Sequence, residues 1–376
     1  MRNQLSKSIF VLVLIGFMSS FEVQACPESL RNLKSQVQSD FDFCQVADRY
    51  TVAIQTLQWR GVHDPLRLAD LLAPRFINGP TWEEVKVQKN FNPWMIYSPA
   101  PLTWQGWEAG NKMIQDQVTL KLQHQQISPL RLEWLFELHR ATMAGLLQQA
   151  GQLRDHQELG LSLDRGSAPL LEESQKISAG PAYQSHQSQR SLIRWHATNC
   201  YEDLSSENRA LSDQFSLKHA HFINLSYWPE ISADQFFVDS AGRKRQCGYI
   251  EYAQTQDVSP ELSEWLKDLN ESMEHPGEND PLVVAAHAQK LFISIHPFLK
   301  GNGRISRFVM DLYLESIGLP TAILPDMDDD IYSTETEWAQ KIAKGILRTL
   351  QTLETCAQSS PVGGCRPVPL SPEGLK

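Results

Sequence analysis

The sequence predicts a mainly α-helical protein carrying one β-hairpin, and three observations carry that prediction. Apolar residues recur at three- and four-residue spacing through Leu132, Leu135, Phe136, Leu138, His139, Met143 and Leu146, which places them on one side of a helix. From Ser259 onward three more such runs follow in close succession, bounded by helix start and stop residues. Between these regions, Phe236 to Tyr252 has strand character and is broken at Ser240-Ala241-Gly242-Arg243, the pattern of a hairpin.

In chain order, residues 26–127 form a helical and irregular N-terminal region. Residues from about 28 to 72 read as helical, with Val46, Tyr50, Ile54 and Leu57 at helical spacing. Pro74 to Trp107 is rich in Pro, Asn and Trp and predicts an irregular segment. Its tryptophans, Trp82, Trp94, Trp104 and Trp107, are read as anchors to the body, a commoner use of the side chain than stacking on carbohydrate.

The main body is expected over 128–350. Its first helix spans 130–147, with Ser128 as cap and Pro129 at the first helical position. An insertion is expected over about 155–235, because 160–190 is polar and rich in Ser, Gln and Gly; helical patterns resume over 188–222. Ser259-Pro260-Glu261 opens a helix bearing Leu262, Trp265, Leu266 and Leu269. Asp280-Pro281 opens the next, striped by Val284, Ala288, Leu291, Phe292 and Ile295. That helix ends at His296-Pro297, since the residue before proline is steered away from helix. A third runs from about Gly303 to Ile317 and stops at Gly318, with Pro320 beyond. Residues 351–376 read as a tail.

A formal net charge of −10 argues against a nucleic-acid partner, because phosphate contacts need a basic surface. The one dense basic run, Arg243-Lys244-Arg245, reads as a solvated loop. At the N-terminus, Arg2 and Lys7 precede an apolar stretch over Ile9 to Phe17, and Val23-Gln24-Ala25 supplies a cleavage site. Residues 1–25 are therefore expected to be an export signal, too short to remain as a membrane anchor. The product is then expected to be periplasmic or secreted; the alternative is a lipoprotein attached through Cys26.

In an exported chain six cysteines are compatible with disulfides, although fifteen connectivities stand open. A local scheme pairs Cys26 with Cys44, Cys200 with Cys247, and Cys356 with Cys365. Lipidation of Cys26 would break it.

The chemistry concentrates in His296-Pro297-Phe298-Leu299-Lys300-Gly301-Asn302-Gly303-Arg304-Ile305-Ser306-Arg307. The loop sits between two predicted helices, so the free N–H groups and dipole of the second face it and favour an anion. Gly301 and Gly303 let the backbone approach an oxyanion without Cβ interference, and Asn302 adds an amide donor. Arg304 and Arg307, three apart, lie on one helical face and offer forked donors to phosphate oxygens. His296 is a base whose neutral imidazole accepts a hydroxyl proton. Taken singly, each piece has a bland structural use; their joint spacing does not.

This segment resembles the signature of the Fic (filamentation-induced-by-cAMP) family, His-Pro-Phe-x-Asp/Glu-Gly-Asn-Gly-Arg-x-x-Arg. The preceding helix, with Ala285, Ala286, His287, Phe292 and Ile295, is similar too, as are Leu135 to His139 and Ala150-Gly151-Gln152-Leu153-Arg154 more faintly. The resemblance implies a Fic-type helical bundle with a β-hairpin flap, moving AMP or a related group from ATP or another nucleotide donor onto the Ser, Thr or Tyr hydroxyl of a protein. It implies His296 as general base, Asn302 at the α-phosphate, Gly301 and Gly303 as the anion hole, and Arg304 with Arg307 on the leaving phosphates. The flap, Gly248, Tyr249, Ile250 and Glu251, would align an extended target by strand addition.

The chain departs from the family at Lys300, where an acid would ligate Mg²⁺. An ammonium cannot coordinate a cation that wants oxygen ligands. It can stand in for the metal's charge on the phosphates, signal another donor, or mark an inactive, anion-binding protein. With base, amide and both arginines present, an active site of altered metal dependence is the adopted reading. Family inhibitory helices carry Ser/Thr-x-x-x-Glu-Gly/Asn; Thr51-Val52-Ala53-Ile54-Gln55-Thr56 lacks the Glu and reads as core. His219-Ala220-His221 has no third ligand for a metal. The run Asp326 to Asp330 lacks the glycine and terminal Glu of a calcium loop and reads as a helix end or loop cover.

Overall fold

The computed structural model describes residues 26–31, 33–60, 100–124, 129–156, 159–160, 170, 172, 194–197, 237–238, 241–245, 248–324, 330 and 333–358. Residues 1–25, and with them the expected export signal, lie outside this set. The protein is mainly α, as the periodicity predicts. Helix α1 (Phe43–Trp59) begins later than expected. Asp42 caps it by accepting the Gln45 N–H at 2.9 Å.

The chain ahead of α1 is committed elsewhere. It makes a short 3-10 turn at Glu28–Leu30, and Ser35 and Gln36 donate to the Asp280 carboxylate at 2.9 and 2.6 Å. Cys26 and Cys44 are bonded, with Cα atoms 4.8 Å apart, in agreement with the local pairing scheme. The Cys26 N–H donates to Asp48 Oδ1 at 2.8 Å. Cys356 is also in a disulfide, to a partner outside the described residues, and the expected Cys200–Cys247 pair lies outside them altogether.

Helix α2 (Ala100–His124) enters the stretch expected to be irregular. Gly106 and Gly110 disguise it, and tertiary contact explains both. A Cβ at Gly106 would collide with the Thr142 carbonyl, and one at Gly110 would lie 2.5 Å from the Phe308 ring. Trp107, buried, stacks on Phe308 with centroids 4.6 Å apart. The expected anchor is real, but it belongs to a helix; Trp82 and Trp94 lie outside the described residues.

Helix α3 (Leu132–Thr142) is shorter than predicted. Its start is displaced because the Leu130 N–H and C=O are both taken by the Asn270 side chain, at 2.7 and 3.0 Å.

The predicted hairpin is only half present. β3 (Phe237–Val238) pairs with β4 (Lys244–Arg245) across the glycine turn at Gly242. β5 (Gly248–Glu251) instead joins β1 (Leu159–Gly160) and β2 (Arg194–Ala197) in an antiparallel sheet of order β1-β5-β2. Part of the stretch expected to be helical over 188–222 is therefore a strand.

Helix α4 (Thr255–Glu274) starts a turn before the predicted Ser259-Pro260 opening. The missing Pro260 N–H forfeits one early bond, on the exposed side. Helix α5 (Pro281–Ile295) starts as predicted, with Asp280 accepting the Leu282 N–H at 2.9 Å and Pro281 at the first position. Helix α6 (Asn302–Ser316) ends at Gly318, where the Gly318 and Leu319 N–H groups return to the Glu315 and Leu314 carbonyls. Helix α7 (Glu335–Gln358) completes the described bundle and crosses position 350.

α5 is the core helix, packed against α4, α6 and α7. Its buried side chains include Ala285, Ala286, Leu291, Phe292 and Ile295. Trp265 donates to the Ala288 carbonyl at 2.8 Å, so even its indole N–H is satisfied. Thr51 to Thr56 lies within α1, which packs on α7. Asp330, from the acidic run, is buried and accepts from Gln289 Nε2 at 2.7 Å. Among the described residues no helix is long and apolar enough to cross a membrane.

Candidate active site

The loop between α5 and α6 is built by both helices and braced by α3. At its entrance His296 caps α5 in the left-handed region, φ 50° and ψ 58°. For a residue other than glycine that conformation costs on the order of 1–2 kcal/mol, so the surroundings must hold it. Its N–H donates to the Phe292 carbonyl at 2.9 Å. Its Nδ1 lies 3.3 Å from the Ile293 carbonyl, which assigns the proton to Nδ1 and leaves Nε2 as the basic nitrogen. Tyr252, just past β5, stacks on the imidazole with centroids 3.7 Å apart. Burial, then the nearby Arg154 cation, pushes the His296 pKa down to about 3, so the ring is neutral at physiological pH.

The next turn is closed by its own side chains. Asn302 Oδ1 accepts the Phe298 N–H at 2.9 Å, and Asn302 Nδ2 donates to the Phe298 carbonyl at 2.6 Å. Phe298 is fully buried and stacks on His139 of α3 at 3.8 Å. His139 accepts the Gly151 N–H on Nδ1 at 2.7 Å and therefore donates from Nε2 to the Lys300 carbonyl at 2.8 Å. Burial holds its pKa at about 4.

Only neutral His139 can serve both partners, and this gives a stability prediction. Its folded pKa lies below the unfolded value near 6.5, so its contribution is present above that value and lost as pH falls through about 4. His139→Ala is expected to lower unfolding free energy at pH 7 by on the order of 2–3 kcal/mol, since a buried N–H and C=O lose partners. Urea unfolding at pH 7 and pH 4.5 checks it; the variant should show the smaller acid loss.

Gly301, φ 85°, starts α6 without a side-chain cap. A Cβ there would sit 2.8 Å from Met143 Sδ, so both backbone conformation and packing demand glycine. The Arg304 and Ile305 N–H groups return to the Gly301 carbonyl. Those of Asn302 and Gly303 belong to the first turn and have no acceptor within the helix. A Cβ at Gly303 would meet nothing within 4 Å. The Gly303 Cα at the bare start of α6 therefore borders open space.

The two arginines are less available than their spacing suggests. Arg304 is 2% exposed; its Nη1 donates to the Thr142 carbonyl at 2.8 Å and lies 3.6 Å from Met143 Sδ. Burial lowers its pKa to about 10, leaving it charged at neutral pH. Arg307, 1% exposed, approaches Asp330 Oδ2 at 3.8 Å and lies 5.5 Å over the Trp338 ring. The two guanidinium groups thus diverge, one toward the end of α3 and the other toward Asp330 and α7. Lys300 is exposed and makes no ion pair among the described residues.

The expected target edge needs correction. β5 is the central strand, with Ile250 and Glu251 paired on both sides and Gly248 and Tyr249 paired to β2. Strand addition directly onto β5, expected for Gly248, Tyr249, Ile250 and Glu251, would displace a strand already there at Ile250 and Glu251, whereas Gly248 and Tyr249 are paired on the β2 side alone among the described residues.

Sequence reasoning missed His139, Tyr252 and Arg154 as parts of the site. A histidine inside an apolar stripe, aligned for burial, was the available signal for the first. Nothing local marks Tyr252. Among the described residues no group of three or more His, Cys, Asp or Glu side chains is arranged to hold a metal; His219 and His221 lie outside them.

A sequence model of the Fic/DOC family matches residues 192–314. A Fido domain-containing protein of Dictyostelium discoideum is 42% identical over 55 residues, which are 15% of this chain and 38% of that one. Protein adenylyltransferase Fic of Drosophila persimilis is 39% identical over 59 residues, 16% of this chain and 12% of that one. The match thus spans well under half of these curated relatives. The crystal structure of a Fic domain-containing signaling protein from Bacteroides thetaiotaomicron aligns with TM-score 0.46 at 12% identity, covering 85% of this chain and 97% of that one.

Proposed function

We propose that this chain, a Fic family protein through the segment matched at 192–314, moves AMP or a related phosphate-containing group from ATP or another nucleotide donor to a Ser, Thr or Tyr hydroxyl of a protein. The observation that carries this reading is the open space beside Gly303 at the uncapped start of α6, in the same loop as a neutral imidazole. In the proposed reaction the target oxygen forms a bond to the α-phosphorus and the bond to the leaving phosphates breaks. The hydroxyl proton passes to His296 Nε2. The α6 amides and Arg304 hold the non-bridging and leaving oxygens, and the second Asn302 Nδ2 hydrogen is free in valence to join them. Such chemistry rests on positioning and charge stabilisation.

The residues do not fit a magnesium ion: the family's acidic position holds the Lys300 ammonium. No step is routed through a metal, and Lys300 is assigned the role of a point charge on the phosphates. Labelled ATP, offered with and without Mg²⁺ to the mature protein and a periplasmic or host lysate, tests the reading; label should pass to protein. Lys300→Glu is expected to make transfer depend on Mg²⁺, with about a tenfold difference or more between metal-loaded and metal-free reactions. Equal rates at every Mg²⁺ concentration would remove the charge-replacement role.

A second reading is a nucleotide- or anion-binding protein that performs no transfer. The engagement of both arginines with protein groups favours it. Nucleotide that binds yet never reaches a protein is its expected result.

The proposed location is outside the cytoplasm, periplasmic or secreted. A Cys26–Cys44 bond suits an oxidising compartment, and it excludes lipid on the same sulfur. Cleavage after Ala25 would set the new α-ammonium on Asp48. Because ATP is scarce outside cells, either the donor is unusual or the protein acts after delivery into another cell.

A further inference from the structure

We propose that Arg154 is a positioning residue that couples the exit of β5 to the base His296, so that imidazole orientation and flap placement are set by one side chain. The inference deepens the transferase reading given above and rests on it for its catalytic meaning. Arg154 lies in the loop after α3 and is 5% exposed. Its Nε donates to the His296 carbonyl at 2.7 Å, and its Nη2 reaches the Ile295 carbonyl at 3.3 Å and the Ala253 carbonyl. Its Nη1 takes the His156 carbonyl at 2.8 Å, and its own N–H donates to the Pro297 carbonyl at 2.9 Å.

The consequence is a single planar fork joining three chain segments. At the end of α5 the Ile295 and His296 carbonyls point out of the helix with no intrahelical donor, and a cation there also suits the negative end of the dipole. His296 carries the left-handed backbone of this turn, a conformation that persists where its neighbours over-determine it. Arg154 supplies that restraint on the carbonyl side.

On the other side, Tyr252 covers the imidazole, and Tyr252 immediately precedes Ala253, whose carbonyl the same guanidinium holds. The Ala253 N–H adds a bond to the Ser294 carbonyl at 3.2 Å. A shift of the flap exit is thereby transmitted to the base. Among the described residues, Arg154 is the charged group acting on the imidazole and Tyr252 the titratable side chain in contact with it; α5 contributes the Ile293 carbonyl. The cation also disfavours a second positive charge on the ring.

Two variants of the full chain separate fork from charge. Arg154→Lys keeps the cation but cannot satisfy diverging carbonyls; Arg154→Met keeps the stem and loses both. The first readout is NMR of His296, assigned by its loss in His296→Ala, which needs no activity. In Arg154→Met the ring-current shift from Tyr252 should shrink, and the imidazole should begin to take up a proton at a higher pH than in the wild type, within the range where the protein stays folded. In Arg154→Lys the shift should shrink while proton uptake begins no higher than in the wild type. The second readout is label transfer, where kcat should fall about tenfold or more with nucleotide KM little changed.

Unaltered ring-current shift and proton uptake in folded Arg154→Met overturn the proposal. Should that variant fail to fold, an unaltered ring-current shift in Arg154→Lys does the same. A wild-type protein that transfers nothing, yet shows these NMR changes, would remove the transferase reading and retain the coupling.

Discussion

Replacing His296 with alanine is expected to lower protein labelling by about 10²–10⁴-fold, the range associated with loss of a positioned general base. Nucleotide affinity should stay within a few-fold of wild type, because the amides and Arg304 are untouched. Isothermal titration beside single-turnover labelling measures both. Equal labelling by the variant would exclude His296 as the base.

The pH dependence is equally specific. A base must be neutral to accept a proton, so activity is lost as pH falls through its pKa. For His296 that value is depressed to about 3 by burial and by Arg154, which removes the usual imidazole limb near 6.5. Labelling should therefore run flat from neutral pH down to the point where the fold itself fails. His139, at about 4, becomes protonated first on Nδ1 and can no longer accept the Gly151 N–H, while Nε2 still donates to the Lys300 carbonyl. The acid edge of activity is thus expected to coincide with loss of tryptophan fluorescence. An edge near pH 6.5 in a fully folded sample would contradict a base held neutral by its surroundings.

The residues that announced themselves in sequence were those whose role is local. Asp280-Pro281 starts α5 and Gly318 ends α6 through caps that involve only near neighbours in the chain. His296, Gly301 and Gly303 were legible for the same reason: a proline, a left-handed turn and a bare helix start are written within twelve consecutive residues. What was not legible depends on contact between distant segments. Gly106 and Gly110 argue against helix by propensity, yet α2 needs them because Thr142 and Phe308 press against it.

The strand pattern of Gly248 to Glu251 was readable, but its partners at 159–160 and 194–197 were not, because strand pairing is set by chain reversal and not by composition. Divergence of Arg304 and Arg307 is likewise tertiary: helical spacing fixes where the Cα atoms lie, while Thr142 and Asp330 decide where the guanidinium groups go. His139 and Arg154 belong to this class as well. Each braces the loop from more than a hundred residues away.

Gly303→Ala should separate stability from binding in opposite directions. The residue lies in the first turn of α6, and its Cβ would occupy space that no protein atom within 4 Å contests. Alanine there removes backbone freedom from the unfolded chain and improves helix propensity, so unfolding free energy should hold or rise by up to about 1 kcal/mol. The same methyl group would fill part of the open space beside the start of α6, the space the proposed donor anion would share. Nucleotide affinity is expected to fall by about 10²-fold or more, equivalent to loss of two charge-assisted N–H bonds. A larger side chain, as in Gly303→Val, should deepen the binding loss while costing some helix propensity. Gly301 is the control: substitution there forces a left-handed backbone and meets Met143, so it should destabilise the fold itself. A Gly303→Ala protein with raised stability and undiminished affinity would show that the open space beside α6 is not where the donor sits.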